Sequence, residues 1–338
     1  MASESVLIQA ALGESLLSSV QQSAALYLDT GLAPPDDPDS LCSTHWLPLA
    51  PGSWPECAKA AHAPRHAIEL GVEEVVRAAA KQSAVLRGSA ISGVEWWLQE
   101  QWPEDKPKEH HTDVVIGRDA ARDEQRAHDD PHQGATFVHR HPLCSSVTYL
   151  SSTGGPTAVF CQVCPRGGPP EPTFPTTVEL GFPSPGSLLL FRGELLHCVL
   201  HTPPEPLGLP LTEQAPRRTL LVNFWVDRPP GAVDVPLPSL PAVESTPRVL
   251  DCKGESPGLQ ARAPESTVLA LHRPFTSHLE QWSLQRLPPD VHRTLCDQTS
   301  DSRRFRSQRL VVLHYTEADN PKTAADTQAS WWQLPEAG

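Results

Sequence analysis

The sequence predicts an α+β protein with a mainly β core and helices packed against it, and two observations support this prediction. Three apolar runs, rich in β-branched and aromatic residues and bounded by Gly- and Pro-containing turns, are typical of buried strands: residues 142–160, 186–200 and 217–226. Two upstream segments, residues 3–29 and 67–86, space their apolar side chains as helices do. We therefore expect a β-rich body that contains a barrel-like site.

Charge and composition argue against several classes of function. The chain has 27 Lys and Arg against 40 Asp and Glu, so it offers no basic field to a nucleic acid. No apolar window reaches the length of a membrane span, and the acidic start does not resemble a leader. The eight cysteines favour reduced thiols over disulfides. We expect a soluble cytoplasmic or nuclear protein that acts on a protein or small molecule, with no nucleic-acid or membrane partner and an oligomeric state left open.

The N-terminal region, residues 1–90, is predicted to form a helical support for the core. Its first helix is expected to break near Gly13, and its second to pack against the sheet. Between the helices, residues 30–57 are so rich in Pro, Gly and Asp that we predict a loop. The side chains expected to hold this loop to the body are Trp46 and Trp54.

The core itself is predicted to span residues 91–235, followed by a Pro-rich wrap and C-terminal extension over residues 236–338. A short aromatic strand over residues 92–102 begins the core, and the polar residues 103–135 are expected to be mostly solvated loop. The extension carries one further predicted strand, residues 309–315.

The candidate metal ligands are a His-x-Asp pair and a distant histidine. Residues i and i+2 of a strand point the same way, so His111 and Asp113 can converge on one ion. His197 follows an apolar run, where we expect a strand to end and its side chain to face a cavity. Two imidazoles and one carboxylate on one face of a metal are the donor set of non-haem iron(II) sites and leave open positions.

A second pair of the same pattern, His128 and Asp130, is an alternative. Pro131 directly follows it and would end a strand, whereas residues 114–116 are apolar and can continue one after the first pair. The one observation in favour of the second pair is that it lies nearer along the chain to Tyr149.

An Arg-x-Thr pattern opens the third apolar run and is suited to hold a carboxylate. An inward-facing arginine can grip a carboxylate with two parallel hydrogen bonds, and a nearby tyrosine can add a phenol donor. Arg217 and Tyr149 are the candidates, with Arg218 as the alternative. If Arg217 faces inward, strand alternation turns the odd-numbered residues of the run the same way and the even-numbered ones to the other layer.

Two cysteines with the spacing of zinc ligands, Cys161 and Cys164, are interpreted as reduced, metal-free thiols. The sequence has no second such pair to complete a tetrahedral site. A redox-sensitive pair remains open.

Five blocks in a fixed order carry a resemblance to a known family: GVEWW, HTD, HPLCSSVTYLSSTGGPT, PGSLLLFRGELLHCV and RRTLLVNFW. Together, from about residue 93 to about residue 229, they resemble the 2-oxoglutarate- and Fe(II)-dependent oxygenases, near the prolyl-hydroxylase-like branch. The resemblance implies a double-stranded β-helix, or jelly roll, with helices on one side. It also implies Fe(II) as cofactor and 2-oxoglutarate as co-substrate.

The resemblance also assigns roles to the candidate residues. His111, Asp113 and His197 match the metal positions, Arg217 the salt bridge to the distal carboxylate of 2-oxoglutarate, and Tyr149 a hydrogen bond near it. The expected activity is hydroxylation of a protein side chain or a small molecule. Where many similar chains have a short acidic run after the first Asp, this chain has Val-Val-Ile. The alternative function is therefore a catalytically decayed barrel that acts as a binding or scaffold protein.

Overall fold

A computed structural model describes residues 5–29, 44–56, 58–102, 105, 111–118, 137–165, 168, 170–172, 177–199, 215–229, 232, 267–271 and 310–315. Within them, the helices are α1 (Glu14–Asp29), α2 (Ala67–Gln82) and α3 (Ala84–Arg87). The strands are β1 (Val6–Ile8), β2 (His45–Pro48), β3 (Gly93–Gln101), β4 (Val115–Arg118), β5 (Phe137–Arg140), β6 (Cys144–Tyr149), β7 (Thr157–Val163), β8 (Thr177–Gly181), β9 (Leu188–Arg192), β10 (Leu195–Val199), β11 (Arg217–Trp225), β12 (Thr267–Leu271) and β13 (Leu310–Tyr315).

These strands form two large sheets and one hairpin. The six-stranded sheet has the order β1-β9-β6-β11-β3-β2, and the five-stranded sheet has the order β10-β7-β8-β13-β12. β4 and β5 pair with each other. The pairings are antiparallel except for the parallel pair of β12 with β13. The prediction of a mainly β core with few helices is confirmed.

Two of the apolar runs each supply a strand to both large sheets. Residues 142–160 contain β6 and the start of β7, and residues 186–200 contain β9 and β10. β6 pairs with β9 in one sheet, while β7 pairs with β10 in the other. The expectation that His197 lies at a strand end is wrong, because a turn at Gly193 starts a new strand and places His197 in the middle of β10.

The helices cover the outer face of the six-stranded sheet. The even-numbered apolar residues of β11 belong to the same buried cluster as the inner side chains of α2; these residues are Leu220, Val222 and Phe224 on the strand and Val72, Val75 and Val76 on the helix. Packing of this kind is the main source of stability for such helices. The odd-numbered residues of β11 face the other sheet, with Leu221 packed against the cluster of Val147 and Val159. The register predicted for this strand is therefore confirmed.

Two expectations for the N-terminal region are wrong. Residues 6–8 form a strand rather than helix, because they pair with β9 at the sheet edge, and the helix begins at Glu14. The predicted loop over residues 30–57 contains β2, which pairs with β3. In both cases a long-range pairing overrides the local pattern. The Trp54 indole does hold its segment to the body, since it donates hydrogen bonds to two carbonyls, Leu86 O at 3.1 Å and Ser89 O at 2.9 Å.

The C-terminal extension enters the described residues only as β12 and β13, and β13 matches the strand predicted over residues 309–315. The alternative metal pair, His128 and Asp130, lies outside the described residues. The division of the chain at residues 90 and 235 stays a prediction. None of the described helices combines the length and the apolar character that a membrane crossing requires.

Candidate active site

Backbone pairing places two histidines side by side. His111 donates its amide to His197 O at 3.0 Å, and His197 donates its amide to His111 O at 2.9 Å. Residues that exchange both hydrogen bonds in an antiparallel pair project their side chains to the same face. The ring centroids accordingly lie 4.3 Å apart.

Asp113, two residues beyond His111, brings a carboxylate to the same place. Each of the three side chains offers a donor atom, and these atoms lie within 4.8 Å of one another. The exposure differs, since His197 is buried, Asp113 is half-buried and His111 is exposed. In the described part of the chain this is the one group of three potential ligands that comes together in this way.

The hydrogen bonding of His197 determines which nitrogen can bind a metal. Its Nδ1 lies 3.0 Å from Leu195 O, and because a carbonyl only accepts, Nδ1 carries the proton. Burial, followed by the neighbouring His111, lowers the pKa of His197 to about 4, so the ring is neutral near pH 7. The lone pair of Nε2 therefore faces Asp113 Oδ1 at 3.8 Å. A cation between these electron-rich atoms would bind both, so the donor set fits a divalent metal.

Two polar neighbours hold Asp113. The Ser145 hydroxyl donates to Asp113 Oδ2 at 2.6 Å, and His141 Nδ1 donates to the Asp113 carbonyl oxygen at 2.8 Å. Ser145 lies in β6 with 1% of its surface exposed. Sequence reasoning missed this residue. The alternation of the strand could have indicated it, because residues i and i+2 of a strand face the same side and Ser145 therefore shares the inner face of Val147 and Tyr149.

A row of polar residues extends from Ser145 across the sheet. In the strand register Ser145 lies opposite Asn223, which lies opposite Glu95 on β3. Glu95 is buried and accepts a hydrogen bond from Trp225 Nε1 at 3.0 Å and another from the Thr44 hydroxyl. Burial raises the pKa of Glu95. The inner face of the sheet beside the candidate ligands is thus polar, and neither Asn223 nor Glu95 was predicted as a site residue.

Arg217 forms the opposite end of this inner face. It is 2% exposed, donates from Nη2 to Thr157 Oγ1 at 3.0 Å, and places its guanidinium carbon 5.5 Å from the centroid of the Tyr149 ring. The Tyr149 hydroxyl donates to Gly181 O at 2.8 Å and lies 2.9 Å from Thr157 Oγ1. Because the Tyr149 proton is used by the carbonyl, the Thr157 hydroxyl donates to Tyr149 while it accepts from Arg217.

Arg217 is a buried cation without an anion among the residues that the structure describes. No carboxylate there lies within salt-bridge distance of it, and both its Nε and the neighbouring Thr219 Oγ1 are buried without a hydrogen-bond partner. Burial lowers the pKa of Arg217. An unpaired charge in a protein interior costs several kcal/mol, on the order of 3–5, so this end of the cavity fits an anionic ligand. Arg218, in contrast, is half-buried and paired with Glu100 at 2.5 Å.

The loop after β6 closes over Arg217. Gly154 has a φ of +86°, and a Cβ at this position would lie 2.6 Å from Arg217 Cβ. The loop is also tied to the start of β11, since Thr153 Oγ1 donates to Pro216 O at 2.8 Å and the Arg218 amide donates to Ser151 Oγ at 2.9 Å. A glycine is therefore required where the loop passes the arginine.

The two ends of the site lie on one face and a short distance apart. Tyr149 is opposite Thr219 and Ser145 is opposite Asn223, so the two rows are separated by four residues along β6, or about 13 Å between Cα positions. Apolar side chains fill the space between them, including Val147, Val159 and Phe191.

The two cysteines of the CxxC pattern take no part in this site. Both thiols are half-buried, and Cys161 Sγ accepts the Thr177 amide at 3.2 Å. Neither belongs to a group of three potential ligands in the described residues.

Comparisons with known proteins add the following findings. No family model matches the chain, and no curated protein matches it. It is similar to a prolyl-4-hydroxylase from Pseudomonas putida, with 15% identity and a TM-score of 0.37 over 67% of this chain and 94% of that one. It is also similar to a prolyl hydroxylase from Trichoplax adhaerens in complex with a hypoxia inducible factor oxygen degradation domain peptide fragment, with 14% identity and a TM-score of 0.36 over 66% of this chain and 83% of that one.

A third similar structure is HygX from Streptomyces hygroscopicus with nickel and 2-oxoglutarate bound, with 14% identity and a TM-score of 0.33 over 66% of this chain and 82% of that one.

Proposed function

We propose that this protein is a 2-oxoglutarate- and Fe(II)-dependent oxygenase that hydroxylates a protein side chain or a small molecule. The observation that carries the proposal is the buried Arg217, which has no anionic partner among the described residues, on the same inner face as three converging potential metal ligands. A buried arginine or a cluster of metal donors alone also occurs in proteins of many other kinds. Together they match an enzyme in which one carboxylate of a bound dicarboxylate is held by an arginine and its other end reaches a metal.

The path of the chain between the sheets supports a double-stranded β-helix. β6 lies in the six-stranded sheet, β7 and β8 lie in the five-stranded sheet, β9 returns to the first, β10 to the second and β11 to the first. This exchange between two facing antiparallel sheets is typical of a jelly roll. In such a core the inward residues of both sheets face each other, and the buried Arg217 and His197 belong to different sheets of this pair.

In this proposal His111, Asp113 and His197 hold Fe(II), and the donor set leaves positions for the co-substrate and oxygen. Bound iron(II) supplies oxygen activation that is coupled to decarboxylation of 2-oxoglutarate and ends in hydroxylation of a substrate C–H bond. His197 is kept in its metal-binding tautomer by Leu195 O. The chain's part is to orient these donors so that one side of the metal stays open.

The other residues of the inner face bind and orient the co-substrate. Arg217 offers its Nε, and Thr219 its hydroxyl, to the distal carboxylate, and neither atom has a hydrogen-bond partner among the described residues. Tyr149 and Thr157 hold the guanidinium in place from the side. The apolar residues between the two ends, such as Phe191 at 4.9 Å from the His197 ring, exclude bulk water from the chemistry.

The test is an anaerobic titration of the purified apoprotein with Fe(II), followed by 2-oxoglutarate. We expect one Fe(II) per chain, a weak visible charge-transfer band when 2-oxoglutarate is added, and succinate formation in air. A protein that binds no iron under anaerobic conditions would instead be the catalytically decayed barrel, and the oxygenase proposal would be wrong.

A further inference from the structure

We infer that Ser145 is a positioning residue of the metal site, which holds Asp113 so that a single carboxylate oxygen faces the metal. The inference rests on the proposed function, since it concerns how the chain prepares that site. In this role Ser145 acts through Asp113, to which its hydroxyl donates a hydrogen bond.

The two carboxylate oxygens of Asp113 have different neighbours. Oδ2 accepts the Ser145 hydroxyl at 2.6 Å, and Oδ1 is the oxygen that lies 3.8 Å from His197 Nε2. A hydroxyl bound to one oxygen reduces the electron density that this oxygen can offer a cation, and it also fixes the rotation of the carboxylate. Oδ1 is thereby presented toward the space between the imidazoles as the single donor.

The position of Ser145 makes this arrangement stiff. Ser145 lies in β6, which is bonded to β9 on one side and β11 on the other, and 1% of its surface is exposed. Asp113 lies on a segment anchored by the pairing of His111 with His197 and by the bond from His141 to its carbonyl. The bond between Ser145 and Asp113 therefore joins the ligand segment to the six-stranded sheet, while His197 belongs to the five-stranded one.

Without the hydroxyl, the carboxylate loses this orientation. Both oxygens become available, so the carboxylate can rotate or bind the metal through two oxygens and occupy a position that is otherwise open. Partners that orient metal ligands typically contribute about 10-fold to 100-fold in metal affinity. We expect Ser145→Ala to weaken metal binding by such a factor.

The neighbouring Ser146 provides a matched control. It lies in the same strand, is also 1% exposed, and donates its hydroxyl to Val222 O at 2.8 Å on the helix side of the sheet. Ser146→Ala therefore removes a buried serine hydroxyl of the same strand without touching Asp113. Ser145→Thr keeps the hydroxyl and serves as the conservative variant.

The experiment titrates the full-length apoprotein and its three variants with Co(II) in an anaerobic calorimeter and records the visible Co(II) spectrum. We expect Ser145→Ala to bind Co(II) about 10-fold to 100-fold more weakly, with a changed spectrum, and Ser146→Ala and Ser145→Thr to stay within about 3-fold of the parent. Urea unfolding of the apoproteins measures the loss of stability, which we expect to be similar for both alanine variants.

Each other outcome overturns a specific statement. If the parent binds Co(II) and Ser145→Ala binds it equally well with the same spectrum, the positioning role is wrong and the proposed function stands. If both alanine variants weaken binding equally, the effect is a general loss of structure and the role is again wrong. If the parent itself binds no Co(II), the proposed metal site fails and the inference fails with it.

Discussion

Replacement of Arg217 by methionine distinguishes the effect of this arginine on the stability of the fold from its contribution to ligand binding. In the absence of an anion, the guanidinium is buried with its Nε unpaired among the described residues. Methionine has a similar length and no charge. Since replacing buried charges by apolar side chains is often neutral or stabilising by about 1–4 kcal/mol, we expect Arg217→Met to raise the free energy of unfolding of the apoprotein by about 1 kcal/mol. The lost contact with the Tyr149 ring offsets part of the gain.

The same substitution is expected to remove most of the stabilisation by 2-oxoglutarate. A buried, charge-assisted contact with a carboxylate contributes about 3 kcal/mol, which is about a 150-fold change in the dissociation constant. At 100 times its dissociation constant, 2-oxoglutarate stabilises the parent by about 2.7 kcal/mol. At that concentration Arg217→Met should gain only about 0.3 kcal/mol.

Urea unfolding of the metal-loaded proteins under nitrogen, with and without 2-oxoglutarate, measures both quantities. The control is Arg218→Met, which removes a partly exposed ion pair with Glu100 and should change each by less than about 1 kcal/mol. Retention of the full 2-oxoglutarate effect by Arg217→Met, together with its loss in Arg218→Met, would refute the assignment of the carboxylate contact.

Three further predictions concern the metal, the core and pH. Asp113→Ala should abolish Fe(II) binding and succinate formation, and Asp130→Ala should leave both within a few-fold of the parent. Leu220→Ala should lower the free energy of unfolding by about 2–5 kcal/mol because the side chain is fully buried, whereas Val226→Ala, at a residue 48% exposed, should change it by less than about 0.5 kcal/mol in urea titrations. Burial lowers the pKa of His45 from 6.5 to about 4, so the folded state binds fewer protons than the unfolded one between these values. Stability should be complete above pH 6.5 and fall by up to about 3 kcal/mol toward pH 4, and His45→Gln should flatten this dependence.

The sequence predicted β11 well because this strand is constrained on both faces. Its alternation predicted Arg217 and Thr219 on one side and Leu220 and Val222 on the other. The structure agrees, since Leu220 and Val222 belong to the core cluster on the helix side. The alternation of side chains along a strand can be read from the local sequence. A strand that packs against helices on one face and a second sheet on the other tolerates few registers, so the alternation determines which side chains face inward.

Features that depend on distant partners were less accessible to sequence reasoning. Residues 6–8 and 45–48 are short segments whose strand character comes from pairing with β9 and β3, and their own residues favour helix or loop. The crossing from β9 to β10 was missed because a run of apolar residues does not reveal at which residue the chain leaves one sheet for the other. This crossing determines where His197 lies.

The polar residues beside the candidate ligands were also difficult to recognise from the sequence as site residues. Ser145 and Asn223 occupy inward positions that the alternation of their strands predicts. What distinguishes them from ordinary buried polar residues is the group across the cavity, such as Asp113 for Ser145. That group comes from a segment whose position the pairing of His111 with His197 determines.

The packing of the helices against β11 therefore has a consequence for the site. Leu220, Val222 and Phe224 are fully buried on the helix side, so a shift of this strand by one residue would expose an apolar row of the core to the cavity. The same shift would turn Arg217 and Asn223 toward the helices. The apolar contacts with α2, on the far side of the sheet, thus keep these two side chains on the inner face that Ser145 and Tyr149 share.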